Sequence, residues 1–229
     1  MKYGFTSVEK KQGEILKGEI PNVKTKVHFI KKGEETENKG EENYSRIFII
    51  SKGDATVNNI KLYERGICAF LPEDIITIKA DTDCSILEIN VKGDMSEANK
   101  DRLPYYLNYN DAETYKEDCK SEKTTSRFLL KHRILPDIAI GSVETIGPDK
   151  VGVHEHPLVE QLFYSFEDND CYLDINDELV EFNKNTLFHI PLASRHGVDI
   201  PDGGKAHYVW IDYIFDKKGL EYMDEAHKA

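Results

Sequence analysis

The 229-residue sequence predicts an all-β protein made of two tandem units of jelly-roll or small-barrel type. Two observations carry this. Short runs rich in β-branched and aromatic residues recur along the chain, punctuated by Gly, Asn and Asp clusters, as strands and turns require. The run pattern then stops at a polar stretch and resumes, so that the two halves resemble one another.

In the first half the strand candidates are RIFIIS (Arg46–Ser51), ATVNNIKL (Ala55–Leu62), ICAFLP (Ile67–Pro72), DIITIKA (Asp74–Ala80) and CSILEINV (Cys84–Val91). A polar stretch from Lys92 to Glu122 follows, with helix-like pieces at Met95–Arg102 and Asp111–Glu117. The second half offers Ile134–Ile146, then VGVHEHPLVEQLFYSF (Val151–Phe166), Cys171–Asp177, Glu178–Phe182, Thr186–Leu192 and His207–Phe215. The charged tail, Asp216 to Ala229, is expected to form a short helix or fray. Aligning the halves sets Arg46 against Glu160 and Pro72 against Pro191, the pattern of an internal duplication. The expected division is a first domain over 1–95, a connector over 96–125 and a second domain over 126–229.

Composition narrows the function. The 30 Lys+Arg residues face 42 Asp+Glu, a net charge of -12, which argues against nucleic acid or an anionic membrane as a partner. No apolar run approaches the length of a membrane span, and the first twenty residues lack a signal-type apolar core. Cys68, Cys84, Cys119 and Cys171 are scattered with no CxxC pair, which fits reduced structural thiols and a cytoplasmic location.

The segment Val151–Phe166 holds His154, His156 and Glu160 at even spacings in a mostly apolar run. Even offsets share one face of a strand, so an extended strand, kinked at Pro157, would line up two imidazoles and a carboxylate. His196 follows in HIPLASRHG, after a turn through Leu192–Arg195. Three imidazoles and one carboxylate suit a divalent first-row metal with positions left open for water or substrate.

At these residues the sequence resembles the cupins, whose first motif is G-x5-H-x-H-x3,4-E-x6-G and whose second is G-x5-P-x-G-x2-H-x3-N. His154, His156 and Glu160 match the ligands of the first motif, and His196 matches that of the second. Glu167 departs from the closing glycine of the first; Asn185, Ala193 and Ile200 depart from the second. In the first half, Gly40, Glu42, Arg46 and Thr77 stand where ligands would be, while Gly53, Gly66 and Pro72 keep the spacing. The resemblance therefore implies two tandem cupin (double-stranded β-helix, jelly-roll) barrels, a bicupin whose N-terminal domain is degenerate and whose C-terminal domain binds metal.

It also implies one divalent transition metal (Mn, Fe, Ni, Co, Cu or Zn), a small-molecule substrate and pairing of whole chains into homodimers. The leading reading is an isomerase or lyase acting on a sugar-acid, keto-acid or hydroxy-acid. An Fe-dependent dioxygenase and a non-catalytic bicupin that binds or senses a small ligand are the alternatives. By strand parity Tyr164 shares the face of Glu160, as a proton donor, substrate anchor or packed aromatic, while Gln161 and Phe163 point away. His189 is an acid–base candidate or a buried structural residue. Arg195, beside His196, is a substrate-binding candidate or an ordinary turn arginine. Arg46 would bind an anion in the first cavity or sit in an internal or rim ion pair with Glu42 or another acid.

Overall fold

The computed structural model describes residues 4–8, 11–214 and 218–221, so most of the tail expectation falls outside the described residues. The chain forms two compact units: Lys10–Ala112 with His132–Pro136, and Met1–Glu9 with Glu113–Lys131 and Asp137–Ala229. The first strand, β1 (Phe5–Ser7), belongs to the later unit, where it pairs with the strand that carries His189. The stretch 96–125 is divided: residues up to Ala112 go with the earlier unit and those from Glu113 with the later one.

The earlier unit contains β2 (Gly13–Ile15), β3 (Val23–Ile30), β4 (Glu35–Lys39), β5 (Tyr44–Lys52), β6 (Ala55–Val57), β7 (Ile60–Leu62), β8 (Ile67–Phe70), β9 (Ile75–Ala80), β10 (Cys84–Lys92) and β11 (Tyr105–Leu107). They make a six-stranded sheet, β11-β8-β5-β10-β3-β2, and a four-stranded one, β4-β9-β6-β7. Alternate residues of both sheets, such as Phe48 and Ile50 of β5 with Ile76 and Ile78 of β9, bury one another in a shared core. The run Ala55–Leu62 is a hairpin. Asn58 and Asn59 both have positive φ, 46° and 69°, as the commonest two-residue hairpin turn demands.

The later unit adds β12 (Thr114–Tyr115), β13 (Thr125–Leu130), β14 (Ile138–Ile146), β15 (Asp149–His154), β16 (Val159–Ser165), β17 (Asp170–Ile175), β18 (Glu178–Asn183), β19 (Thr186–Ile190), β20 (His196–Ile200) and β21 (Lys205–Ile214). The central path is β1-β19-β16-β21-β14-β13-β12, and β15, β17, β18 and β20 complete an eleven-stranded sheet around a core that includes Phe163, Phe182 and Phe188. Asn176 and Asp177, at φ 51° and 67°, repeat the same hairpin turn between β17 and β18.

Four local expectations change. Met95–Arg102 holds two single turns of 3-10 helix, and Asp111–Glu117 gives a strand, β12, in place of a helix. Ile134–Ile146 is not one run: Ile134–Pro136 belongs to the earlier unit, and the strand begins at Ile138. Val151–Phe166 is not one strand either. It breaks at residues 155–158, where Pro157 and Leu158 form a turn, and β15 pairs with β20 while β16 pairs with β19 and β21. Proline cannot donate to a ladder, which is the physical reason for the break.

Candidate metal centre

The turn at Pro157 resets which side chains face inward. On β16, Phe163 belongs to the core cluster, so Gln161, two residues earlier, shares its inward face. Glu160 and Tyr164 take the opposite face. The expected parity, continued from His154 through Pro157, thus comes out reversed.

His154 ends β15 and His196 begins β20, and the two are register partners across that ladder. His156 lies in the turn that follows His154. The three rings converge, with centroids 4.9 Å (His154–His156), 4.6 Å (His154–His196) and 5.5 Å (His156–His196) apart. One ring nitrogen from each can be chosen so that all lie within 4.8 Å of one another. Two backbone carbonyls orient the rings: Nδ1 of His154 meets the Gly152 oxygen at 2.7 Å, and Nδ1 of His196 meets the Ser194 oxygen at 2.9 Å. A carbonyl only accepts, so each Nδ1 carries the proton and each Nε2 keeps its lone pair. Nε2 of His196 is buried with no hydrogen-bond partner. Burial, with the neighbouring His154 as a second cause, pushes the His196 imidazole down to about 4 against the lesser pull of the Ser194 carbonyl. Rings held by Nδ1, as His154 and His196 are, present an Nε2 lone pair of the kind a divalent transition metal requires. These residues fit such an ion.

Glu160 lies outside this group. Its Oε2 accepts from Nε2 of His189 at 2.7 Å and from the backbone N–H of Leu192 at 3.0 Å. The Leu192–Arg195 turn is held from the other side too, where Ala193 N–H donates to the His156 carbonyl at 3.3 Å. Glu160 and His189 therefore brace the turn that delivers His196. Tyr164 is buried, and Arg195 is exposed beside Asp177, its guanidinium 3.7 Å from that carboxylate.

His154 and His156 open onto a cavity of about 690 Å³. Gln161, Phe163, Trp210 and Asp212 also line it, whereas Glu160, Tyr164, His189 and Arg195 do not. Gln161 and Asp212 are buried cross-strand neighbours, and Nε2 of Gln161 donates to Oδ1 of Asp212 at 2.8 Å. Tyr115, Glu117 and Lys120 supply another wall from β12 and the segment after it. Lys120 is ion-paired with Glu117, donates to Ser126 Oγ at 3.1 Å and lies over the Tyr115 ring. Burial raises the Tyr115 and Tyr208 hydroxyls and the Cys119 thiol, so these cavity groups stay protonated at neutral pH. All four cysteines are free.

Strand parity in the sequence pointed Gln161 away from the site, although the motif spacing also reaches it. The first motif allows three or four residues before its acid, and four places that position at Gln161.

The earlier unit carries a buried arginine at the corresponding ladder position. Arg46 pairs with Phe70 and Asn90 across β5, β8 and β10, as Gln161 pairs with Ile190 and Asp212. Its buried guanidinium donates to the Asn38 carbonyl and side-chain oxygen at 3.1 and 3.0 Å, to the Leu71 carbonyl at 3.2 Å and to the Asp74 carbonyl. Both terminal nitrogens are engaged by chain oxygens, and among the described residues Arg46 forms no ion pair.

No family model matches the sequence, and no curated protein matches it. Solved structures do. An IolB-like protein from Salmonella typhimurium aligns at a TM-score of 0.72 and 14% identity, over 91% of this chain and 92% of that one. Oxalate decarboxylase from Lactobacillus farciminis, solved as a formate complex, aligns at 0.70 and 13% identity, over 98% and 93%. A cupin 2 conserved barrel domain protein from Leptotrichia buccalis aligns at 0.59 and 14% identity, over 93% and 89%. The chain has a cupin fold. Among the described residues no helix is long and apolar enough to cross a membrane.

Proposed function

We propose that this cupin is a metal-dependent enzyme of the isomerase or lyase type acting on a small sugar-acid, keto-acid or hydroxy-acid. The observation that carries the reading is the convergence of His154, His156 and His196, the first two of which line a large cavity. The oxalate decarboxylase neighbour, recorded with formate, supports a small oxygenated substrate. His154, His156 and His196 would hold the ion, and Gln161, on the same cavity wall, would supply a fourth donor. A divalent metal there supplies a Lewis acid that polarises a substrate carbonyl or stabilises an enolate. Phe163 and Trp210 exclude water from the inner cavity, and Lys120 and Glu117, ion-paired on its wall, are the groups placed to hold or move a proton. The two units are read as two cupin barrels, with Arg46 filling the first where a metal would sit.

The test removes metal with a chelator, restores single metals, and follows turnover across small hydroxy-, keto- and sugar acids. Turnover that disappears with chelation and returns with one metal supports the proposal. Dioxygen uptake during turnover moves the assignment to an Fe-dependent dioxygenase. Tight metal binding with no turnover across the panel favours the sensing module.

A further inference from the structure

Gln161 and Asp212 are an unusual pair to find on the inner wall of a metal site. Both are almost wholly buried, at 4% and 3% exposure, and both line the cavity that His154 and His156 enter. Neighbours on β16 and β21, they are set opposite one another by the ladder itself. Burying a carboxylate in a β core is costly unless it is met by donors, so its presence calls for a reason.

The hydrogen bond supplies one. Gln161 turns its NH₂ group towards Asp212 and donates to Oδ1 at 2.8 Å. The amide is planar with its oxygen on the other branch. Fixing the nitrogen on Asp212 therefore fixes Oε1 away from it. Without that contact the amide could flip and offer nitrogen, which is no metal ligand, to the cavity. Resting on the reading of Gln161 as fourth donor, we propose that Asp212 is a positioning residue that locks the Gln161 amide with its oxygen towards the metal. The site's negative charge thereby moves one residue back. Three imidazoles and an amide form a neutral donor set, and the compensating carboxylate stands beside the amide on the same cavity wall.

The arrangement makes a swap testable. Co²⁺ affinity is measured by chelator competition on the full chain, and the visible Co²⁺ spectrum reports the donor set independently of activity. In Asp212→Ala the amide loses its anchor, and affinity should fall about 10- to 100-fold, the usual cost of losing a partner that orients a ligand. Gln161→Glu sets two carboxylates face to face and should weaken the site or the fold. The double variant Gln161→Glu/Asp212→Asn restores a carboxylate–amide pair with the charge now at 161. It should recover Co²⁺ affinity to at least the wild-type level, with a shifted spectrum. If Asp212→Ala does not fold, the double variant decides.

Folded Asp212→Ala with affinity within about twofold of wild type overturns the inference, as does a folded double variant that binds no better than Gln161→Glu. Both leave the histidine site standing. Wild-type protein that binds no Co²⁺ at all is instead the failure of the metal-centre reading.

Discussion

Replacing Arg46 with methionine keeps the apolar stem and removes the guanidinium. Four acceptors lose their donor: the Asn38 carbonyl and side-chain oxygen and the Leu71 and Asp74 carbonyls. Hydrogen bonds from a charged group contribute about 1.5 kcal/mol or more each, so the gross loss is about 6 kcal/mol. Relief from burying an ion, together with hydration of the freed carbonyls near the surface, returns about half. A net destabilisation of about 3 kcal/mol is expected. Urea unfolding followed by far-UV circular dichroism at neutral pH measures it, through a lower midpoint at an unchanged slope. A loss below about 1 kcal/mol would refute the idea that this guanidinium ties together the loops around residues 38–40 and 71–74. Gly40 adds a constraint in the same place, since a Cβ there would lie 1.9 Å from the Pro72 carbonyl oxygen and 3.1 Å from Arg46 Cζ.

Other consequences concern both units. Gly141→Ala would place a methyl 2.1 Å from a Trp210 ring atom and 2.6 Å from the Arg127 carbonyl, so thermal unfolding should show a loss of about 2 kcal/mol or more. Trp210 is the single tryptophan and lines the cavity; Co²⁺ should quench its fluorescence, and His196→Ala should abolish the quenching. Burial alone would raise the Glu88 carboxyl, but hydrogen bonds from His28 and Asn90 and the charge of Lys26 outweigh it and hold the group below its usual range. A carboxyl lowered in the folded state contributes fully above its unfolded pKa and loses that contribution as pH falls through the lowered value. Glu88→Gln should therefore be less stable at pH 7, and its stability should decline less steeply on acidification than that of wild type.

Much of the architecture was legible because strands and tight turns are local. The run around Ile76 alternates as a half-buried strand does, those around Phe48 and Phe188 are short apolar runs buried on both faces, and Asn58–Asn59 and Asn176–Asp177 are the residues a two-residue hairpin turn selects. Two motif departures also make sense locally. Asn185 and Ala193 replace glycines, and both adopt positive φ, at 52° and 57°. Asparagine tolerates that region well, whereas alanine does not, which is why hydrogen bonds from Leu192 and Ala193 hold the second turn. What escaped the sequence was non-local. The strand β1 crosses to a distant partner. The inward face of β16 depends on how many residues the turn at Pro157 consumes, and a shift of one exchanges Glu160 for Gln161. The roles of Glu160 with His189, and of Asp212 with Gln161, arise only once β16, β19 and β21 lie side by side.

X-ray absorption at the edge of the metal bound to the purified chain tests the central claim most directly, because imidazole rings leave a scattering pattern that can be counted. Three histidine ligands are expected, falling to two in His196→Ala with weakened binding. A metal bound through one imidazole or none, or bound unchanged in His196→Ala, contradicts the site.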